Sequence, residues 1–234
     1  MRLLDIPFDD RRRRYLVFHA NGLPEKLALD STTTTSQFEA IGSSRFFVSR
    51  DGTLLAKVVP DKFRKAQAPL KWLLRDYLEK RWLAQCDARK EYNSLRILRR
   101  AGLATPRCHG WGLSLNPGNR NASLLLMEHV RDARPGGEVF EEMGEADRLA
   151  FLAHFCTEVA QLARHGYVHR DLHYNNLLIT PADEMLWIDA HVRRLPKQRG
   201  KAWNTLENSL TDNKLRGLAY RRFVRQQLHD ILAP

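Results

Sequence analysis

The most informative motif of the chain is His169-Arg170-Asp171-Leu172-His173-Tyr174-Asn175-Asn176, and Asp189 follows it thirteen residues later. A carboxylate, an amide five residues on and a second carboxylate are the groups that phosphoryl transfer requires. In this order Asp171 would orient an attacking hydroxyl and accept its proton, while Asn176 and Asp189 would bind magnesium. The alternative is a loop whose carboxylate and amide only cap backbone groups, and Asp189 at the expected distance argues against it.

The segments around this stretch have the periodicity of regular structure. Residues 145–165 carry apolar side chains at helical spacing, which predicts an amphipathic helix. Leu177-Leu178-Ile179 and Leu186-Trp187-Ile188 read as two short strands joined by a turn. The tail from residue 205 onward predicts a basic helix. The stretch therefore lies in a loop between a helix and a strand.

A hairpin is predicted upstream of the helical segments. Phe46-Phe47-Val48 reads as one strand, Asp51-Gly52 is a strong turn dipeptide, and Leu54 to Val59 reads as the second strand. Lys57 lies within the second strand between apolar neighbours, a position where a lysine needs a partner. It matches the lysine that holds the α- and β-phosphates of ATP. The alternative is an ordinary lysine on an edge strand.

The carboxylate partner of Lys57 is expected on the helix that follows. Residues 70–101 have helical spacing and end at Gly102, and the Lys- and Arg-rich part from residue 62 to 89 is expected to hold a separate helix. Glu91 is the better candidate for the partner and Glu79 is the rival. A surface salt bridge is the third interpretation.

Two further segments are candidates for nucleotide contacts. Gly42, Ser43 and Ser44 follow Ile41, and their backbone amides are candidates to cup the phosphates, although the segment has one glycine where a phosphate loop usually has three. The apolar run ending at Met127 predicts a buried strand. The residues after it, Glu128 to Val130, resemble the hinge of kinases, and this resemblance implies that their backbone binds adenine.

Taken together, these residues resemble those of the protein-kinase-like fold. More closely, the chain resembles the lipopolysaccharide core kinases of Gram-negative bacteria, which phosphorylate heptose or Kdo sugars on lipid A–core. The resemblance covers about residues 40–230. It implies an α+β, two-lobed fold with a truncated C-terminal lobe: an N-lobe of sheet plus helix at 37–130 and a compact helical C-lobe at 131–234. It also implies ATP and Mg²⁺ as cofactors. Residues 1–36 are polar and irregular in sequence, which predicts an N-terminal arm or an edge extension.

The resemblance bears on the acceptor as well. Sugar kinases of this fold often carry a histidine where protein kinases have a lysine, so His173 is expected to contact the γ-phosphoryl group. Arg170 stands where sugar kinases commonly have a glycine. An arginine at this position resembles the motif of protein kinases instead. Asp189 is followed by Ala190-His191 without the usual switch glycine. Only 45 residues follow Asp189, too few for a peptide-docking platform, which favours a non-peptide acceptor.

Composition indicates an anionic partner. The chain has 234 residues and a formal charge of +11, and a basic stretch from Arg193 to Lys201 follows the second carboxylate. An anionic glycolipid or sugar acceptor and the inner-membrane surface fit this charge; the stretch is otherwise a solvated positive face. No segment has the roughly 20 apolar residues that a transmembrane helix needs. Together with three scattered cysteines, this predicts a cytoplasmic protein, peripheral on the inner face of the inner membrane.

The sequence therefore predicts an ATP- and Mg²⁺-dependent kinase for a heptose or Kdo hydroxyl of the lipopolysaccharide inner core. An atypical protein serine/threonine kinase with a compact C-lobe is the nearest alternative, and Arg170 favours it. A non-catalytic nucleotide-binding regulator is another alternative, against which the joint presence of Lys57, Asp171, Asn176 and Asp189 argues. The sequence lacks the interleaved aromatic and basic residues of single-strand binders, which argues against nucleic acid.

Overall fold

The structure, a computed structural model, describes residues 1–8, 11–20, 22–24, 27–30, 44–63, 65–210 and 215–233. The chain has mixed α+β structure, as the sequence predicts. It divides into two compact units, each continuous in space but not in sequence. Unit 1 comprises residues 1–93 and 106–130, and unit 2 comprises residues 94–105 and 131–234.

Seven strands of unit 1 form a closed barrel in the order β1-β2-β6-β7-β5-β4-β3. Side chains alternate along each strand, so every second residue points into the barrel. Its interior is filled by apolar residues such as Ile6, Tyr15 and Leu126. The strands are β1 (Arg2–Phe8), β2 (Arg11–Phe18), β3 (Leu29–Asp30), β4 (Arg45–Ser49), β5 (Leu54–Val59), β6 (Cys108–Leu113) and β7 (Ser123–Glu128).

The N-terminal segment corrects one prediction. The sequence predicts an N-terminal arm or an edge extension at 1–36, whereas β1 pairs with β2 along its whole length and both strands belong to the closed barrel. Leu4, Ile6 and Phe8 are buried at alternating positions, which is the period of a half-buried strand. Asp5 and Pro7, which lie between them, are both uncommon in strands and hid this pattern. The hydroxyl-rich run at 32–35 lies outside the described residues.

The hairpin and the two helices of unit 1 lie where the sequence predicts them. β4 and β5 pair across the turn at Asp51-Gly52. The short helix α1 (Pro69–Lys71) continues directly as a π-helix (Trp72–Trp82). Helix α2 (Asp87–Arg100) follows, and it ends where Gly102 has a φ of +82°. The separate helix expected before Glu91 is confirmed, but its wide π geometry had no signal in the sequence.

Unit 2 is mainly helical and carries two small sheets. One sheet has the order β11-β10-β8 and the other pairs β12 with β9. The strands are β8 (Arg134–Pro135), β9 (Tyr167–His169), β10 (Leu177–Ile179), β11 (Met185–Trp187) and β12 (Val192–Arg194). The helices are α3 (Gly136–Glu142), α4 (Glu145–Arg164), a 3₁₀ turn (Tyr174–Asn176), α5 (Arg199–Glu207) and α6 (Leu218–Leu232).

Helix α4 is the centre of unit 2 and confirms the amphipathic helix predicted there. It buries Leu152, Phe155 and Val159, and α6 packs against it. The C-terminal tail differs from the prediction of one helix, because α5 ends at Glu207 and α6 begins at Leu218. Within the described part of the chain, no helix has both the length and the apolar character needed to cross a bilayer.

Candidate functional site

In unit 1, Lys57 and Glu91 form a buried ion pair. Lys57 lies on β5 between Ala56 and Val58, whose side chains fill the barrel, so the lysine points to the opposite face of the sheet. Its Nζ lies 3.0 Å from Oε1 and 2.9 Å from Oε2 of Glu91 on α2. The side chains are only 11% and 5% exposed. Glu91 is therefore the partner of Lys57, and this contact decides between Glu91 and its rival Glu79.

The predicted phosphate loop lies mostly beyond the described residues. Gly42 and Ser43 fall outside them, whereas Ser44 is described and half-buried at the residue before β4. The role proposed for these three residues stays a prediction.

The segment predicted to bind adenine follows β7. The amide of Glu128 donates to the carbonyl of Arg107 at 2.8 Å, and the amide of His129 donates to the carbonyl of Thr53 at 2.9 Å. Two of the three predicted residues thus use their amides inside unit 1. Adenine binding by the backbone of Glu128 and Val130 stays a prediction.

In unit 2, Asp171, His173 and Asn176 lie together on one loop. Nε2 of His173 lies 3.2 Å from Oδ2 of Asp171, and His173 is buried while Asp171 is 37% exposed. Nδ2 of Asn176 donates to the carbonyl of Asp171 at 2.9 Å. This bond turns the amide oxygen of Asn176, the atom a magnesium ion would use, away from that carbonyl. The loop therefore presents a carboxylate supported by an imidazole, beside a fixed amide.

His169 joins this loop to the segment after Asp189. Burial lowers its pKa to about 4, so the imidazole is neutral near pH 7 and has one donor and one acceptor nitrogen. Nε2 accepts from the amide of His191 at 3.1 Å, and Nδ1 donates to the carbonyl of Asp171 at 2.8 Å. The motif alone did not predict these contacts of His169.

Asp189 lies on the turn after β11 and has a φ of +47°, a left-handed conformation that is uncommon for any residue other than glycine. Two backbone bonds hold this turn: the amide of Ile188 donates to the carbonyl of Asn176, and the amide of Trp187 donates to the carbonyl of Ala104, both at 2.9 Å. Strained residues of this kind cluster at functional sites. The carboxylate of Asp189 is exposed.

Two further contacts hold the loop in place. The amide of Leu172 donates to the carbonyl of Ser209 at 2.9 Å, which anchors the loop to the turn after α5. Gly136, at the start of α3, lies so close to the 3₁₀ turn that a methyl group there would collide with the carbonyl oxygen of Tyr174. The paired glycines at 136 and 137 were a visible signal for this approach.

The chemistry of unit 2 fits a magnesium ion shared with phosphate. No group of three or more His, Cys, Asp or Glu side chains suited to a metal occurs among the residues that the structure describes. Mg²⁺ is usually bound by one or two protein oxygens together with phosphates and water. The carboxylate of Asp189 and the amide oxygen of Asn176 are oxygen ligands of this kind.

Comparison with solved structures shows similarity of fold. The fold is similar to that of a solved structure, WaaP in complex with acyl carrier protein, with a TM-score of 0.51, 17% identity, and coverage of 84% of this chain and 82% of that chain. The bifunctional kinase-methyltransferase WbdD aligns with a TM-score of 0.47 and 15% identity, over 81% of this chain and 42% of that one. No curated protein sequence matches the chain.

A sequence profile described as the Lipopolysaccharide kinase (Kdo/WaaP) family matches residues 45–232. The protein is therefore a kinase, a phosphotransferase that acts on a sugar hydroxyl. It belongs to the lipopolysaccharide kinase (Kdo/WaaP) family.

Proposed function

We propose that this protein is an ATP- and Mg²⁺-dependent kinase of two-lobed, protein-kinase-like fold with a truncated C-lobe. Its acceptor is a heptose or Kdo hydroxyl of the lipopolysaccharide inner core. The observation that carries the proposal is the loop of unit 2, where the carboxylate of Asp171 lies 3.2 Å from Nε2 of His173 and Asn176 is bonded to the same residue.

Asp171 is the catalytic base of this proposal. Its half-exposed carboxylate can accept a hydrogen bond from the acceptor hydroxyl and take its proton as the oxygen attacks phosphorus. His173 supports the carboxylate through Nε2, and we assign it the contact with the γ-phosphoryl group. Catalysis by such a loop is positioning and charge neutralisation, because phosphoryl transfer needs no covalent intermediate with the protein.

Lys57 is assigned to the α- and β-phosphates of ATP. Glu91 holds its ammonium group within 3.0 Å, so the lysine enters the reaction already oriented. Ser44, with Gly42 and Ser43, is assigned to the phosphates through backbone amides. Glu128 and Val130 are assigned the adenine contact through their backbone.

Asn176 and Asp189 are assigned to Mg²⁺, which neutralises the charge of the phosphates when it is bound. The amide of Ile188, the residue before Asp189, donates to the carbonyl of Asn176, and this bond keeps Asn176 and Asp189 close together. We place the enzyme in the cytoplasm, peripheral on the inner face of the inner membrane. The net charge of +11 supports an anionic glycolipid as acceptor.

The test is transfer of radiolabelled γ-phosphate from ATP to purified lipopolysaccharide core and, in parallel, to a generic protein acceptor. We expect label in the core, and we expect Asp171→Ala to abolish it while ATP affinity stays nearly unchanged. Label in protein alone would contradict the proposal and favour an atypical protein kinase. Transfer that persists in Asp171→Ala would overturn the role of this residue.

A further inference from the structure

The helical segment from Pro69 to Leu83 is formed by α1, the π-helix and Leu83. It is amphipathic, but its charged side is buried and its apolar side is exposed. Its buried residues are Trp72, Asp76 and Arg81, two of which are charged. Its outward face carries apolar side chains that are between 40% and 72% exposed. These are Leu70, Leu73, Leu74, Leu78, Trp82 and Leu83, which we call the leucine face.

The leucine face is the main apolar surface of the described chain. Ten large apolar side chains are exposed among the described residues, and six of them belong to this one segment of fifteen residues. Apolar side chains scattered singly over a surface are ordinary, but a contiguous patch marks a binding site. Leaving it in water is unfavourable, because the hydrophobic free energy scales with the apolar area that is exposed.

The inward side of the segment is held by a buried polar network. Nη2 of Arg81 lies 2.5 Å from Oδ2 of Asp61 and 2.9 Å from the carbonyl of Asn119. Nε1 of Trp72 donates to the same Asp61 oxygen at 3.2 Å, and the Asp76 carboxylate accepts from the Phe63 amide. These bonds need the charged face to point inward. The leucines therefore cannot turn toward the core without breaking the network.

The charge around the leucine face is basic. From residue 61 to 90, every charged residue that is exposed in the described part of the chain is a lysine or an arginine. The acidic residues between positions 61 and 90 are buried or partly buried, and Lys80 pairs with two of them, Asp76 and Asp87. The exposed basic residues are Lys62, Lys65, Lys71, Arg75, Arg89 and Lys90.

We propose that the leucine face binds the surface of an anionic lipid bilayer, with the leucines and Trp82 in the interface and the basic residues against the lipid phosphates. Leucine and tryptophan on one side, with Lys and Arg beside them, is the composition of helices that lie in a membrane interface. Tryptophan is favoured at that depth, and long basic side chains reach the headgroups while their stems stay apolar. The surface would hold the enzyme where a membrane-anchored glycolipid is found, so its biological use rests on the proposed function.

The experiment is flotation of the purified full chain with phosphatidylcholine vesicles that contain or lack phosphatidylglycerol, without ATP or acceptor. We expect the wild-type chain to float with the anionic vesicles. Leu73→Ser combined with Leu74→Ser should weaken this binding at least about tenfold, since two interfacial leucines are lost. Arg75→Glu should weaken binding to the vesicles that contain phosphatidylglycerol by about tenfold, and it should not change binding to the vesicles that lack it.

The matched control is Leu218→Ser, which changes a leucine that is 55% exposed at the start of α6 in unit 2. It should bind vesicles as the wild type does, and the thermal unfolding of all variants should match. Transfer to deacylated, water-soluble core should persist in the Leu73/Leu74 variant, which separates this proposal from the proposed function. No flotation of the wild type would overturn the proposal. So would equal flotation of the double variant, or a dimer that the double substitution dissociates without any vesicle binding.

Discussion

Lys57 and Glu91 are 34 positions apart in the sequence and about 3 Å apart in the structure. Glu91→Gln would leave a buried ammonium group without its carboxylate, and we expect the free energy of unfolding to fall by about 3 kcal/mol. The same change should lower kcat/KM for ATP by about a hundredfold, which corresponds to about 2.7 kcal/mol of transition-state stabilisation. Urea denaturation and steady-state kinetics measure the two effects.

Glu79→Gln is the matched control for this prediction, because Glu79 is an acidic residue on the preceding helix. Its stability and activity should equal those of the wild type. If Glu79→Gln had the effect expected of Glu91→Gln, the assignment of the ion pair would be wrong.

His169 acts through the backbone of its neighbours. His169→Leu puts an apolar side chain of similar size in this place, so the amide of His191 loses its acceptor and the carbonyl of Asp171 loses one donor while it keeps the bond from Asn176. Each such loss costs about 1–3 kcal/mol. We expect lower stability and a kcat reduced by at least about tenfold, since the loop carrying Asp171 loses its alignment. His165→Leu, at the exposed end of α4, should change neither quantity, and an equal loss of kcat in both variants would contradict the prediction.

At the scale of elements, the approach of α3 to the 3₁₀ turn depends on Gly136. Gly136→Ala places a methyl group against the carbonyl of Tyr174, so either the helix or the turn must shift. We expect a loss of about 1–3 kcal/mol in stability, the usual range for overpacking, together with a lower kcat, since Asn176 ends the same turn. Thermal unfolding and initial rates measure both effects.

The control for Gly136 is Gly200→Ala in α5, where an added methyl group meets no atom within 4 Å. Alanine is favoured over glycine in a helix, so this variant should be unchanged or slightly more stable. Equal destabilisation by both substitutions would show that the close packing at Gly136 is not the cause.

Secondary structure was predictable where one periodicity dominated. The hairpin of β4 and β5, the buried strand β7 and helix α4 all lie where apolar spacing places them. β1 and β2 were missed, since a basic block interrupts their alternation, and strand pairing is not a local property of either segment. The π-helix was missed as a type because the apolar spacing of Trp72–Trp82 does not distinguish it from an α-helix.

At the scale of the whole molecule, the cysteines report on each unit separately. Cys86 is buried in unit 1 and Cys156 in unit 2, and burial raises the pKa of both thiols, that of Cys156 to about 12. Because only the thiolate reacts, both should resist maleimide near neutral pH in the native protein, while the half-buried Cys108 reacts. Mass spectrometry of labelled peptides at increasing urea should show when each unit opens.

The control for this labelling is Cys108→Ser, which should remove the fast phase of the native protein and leave the slow phases unchanged. Rapid modification of Cys156 in the absence of denaturant would contradict the burial described here.

The sequence by itself determined the chemical groups of the candidate site and their order. Asp171, His173 and Asn176 occupy a loop of a few residues, so their spacing alone brings them close together, and Asp189 follows after a short hairpin. The lysine of β5 was recognisable as well, because a charged residue within an apolar strand requires a partner.

Three features became known only from the tertiary structure. They are the choice of Glu91 as the partner of Lys57, the closure of the barrel, and the face of the segment from Pro69 to Leu83 that is buried. The physical reason is the same in the three cases: each depends on contacts between residues far apart in the chain. A helical pattern shows that one face is apolar and the other charged. Whether the leucines or the charges point inward is set by partners such as Asp61 and Asn119, and here the charges do.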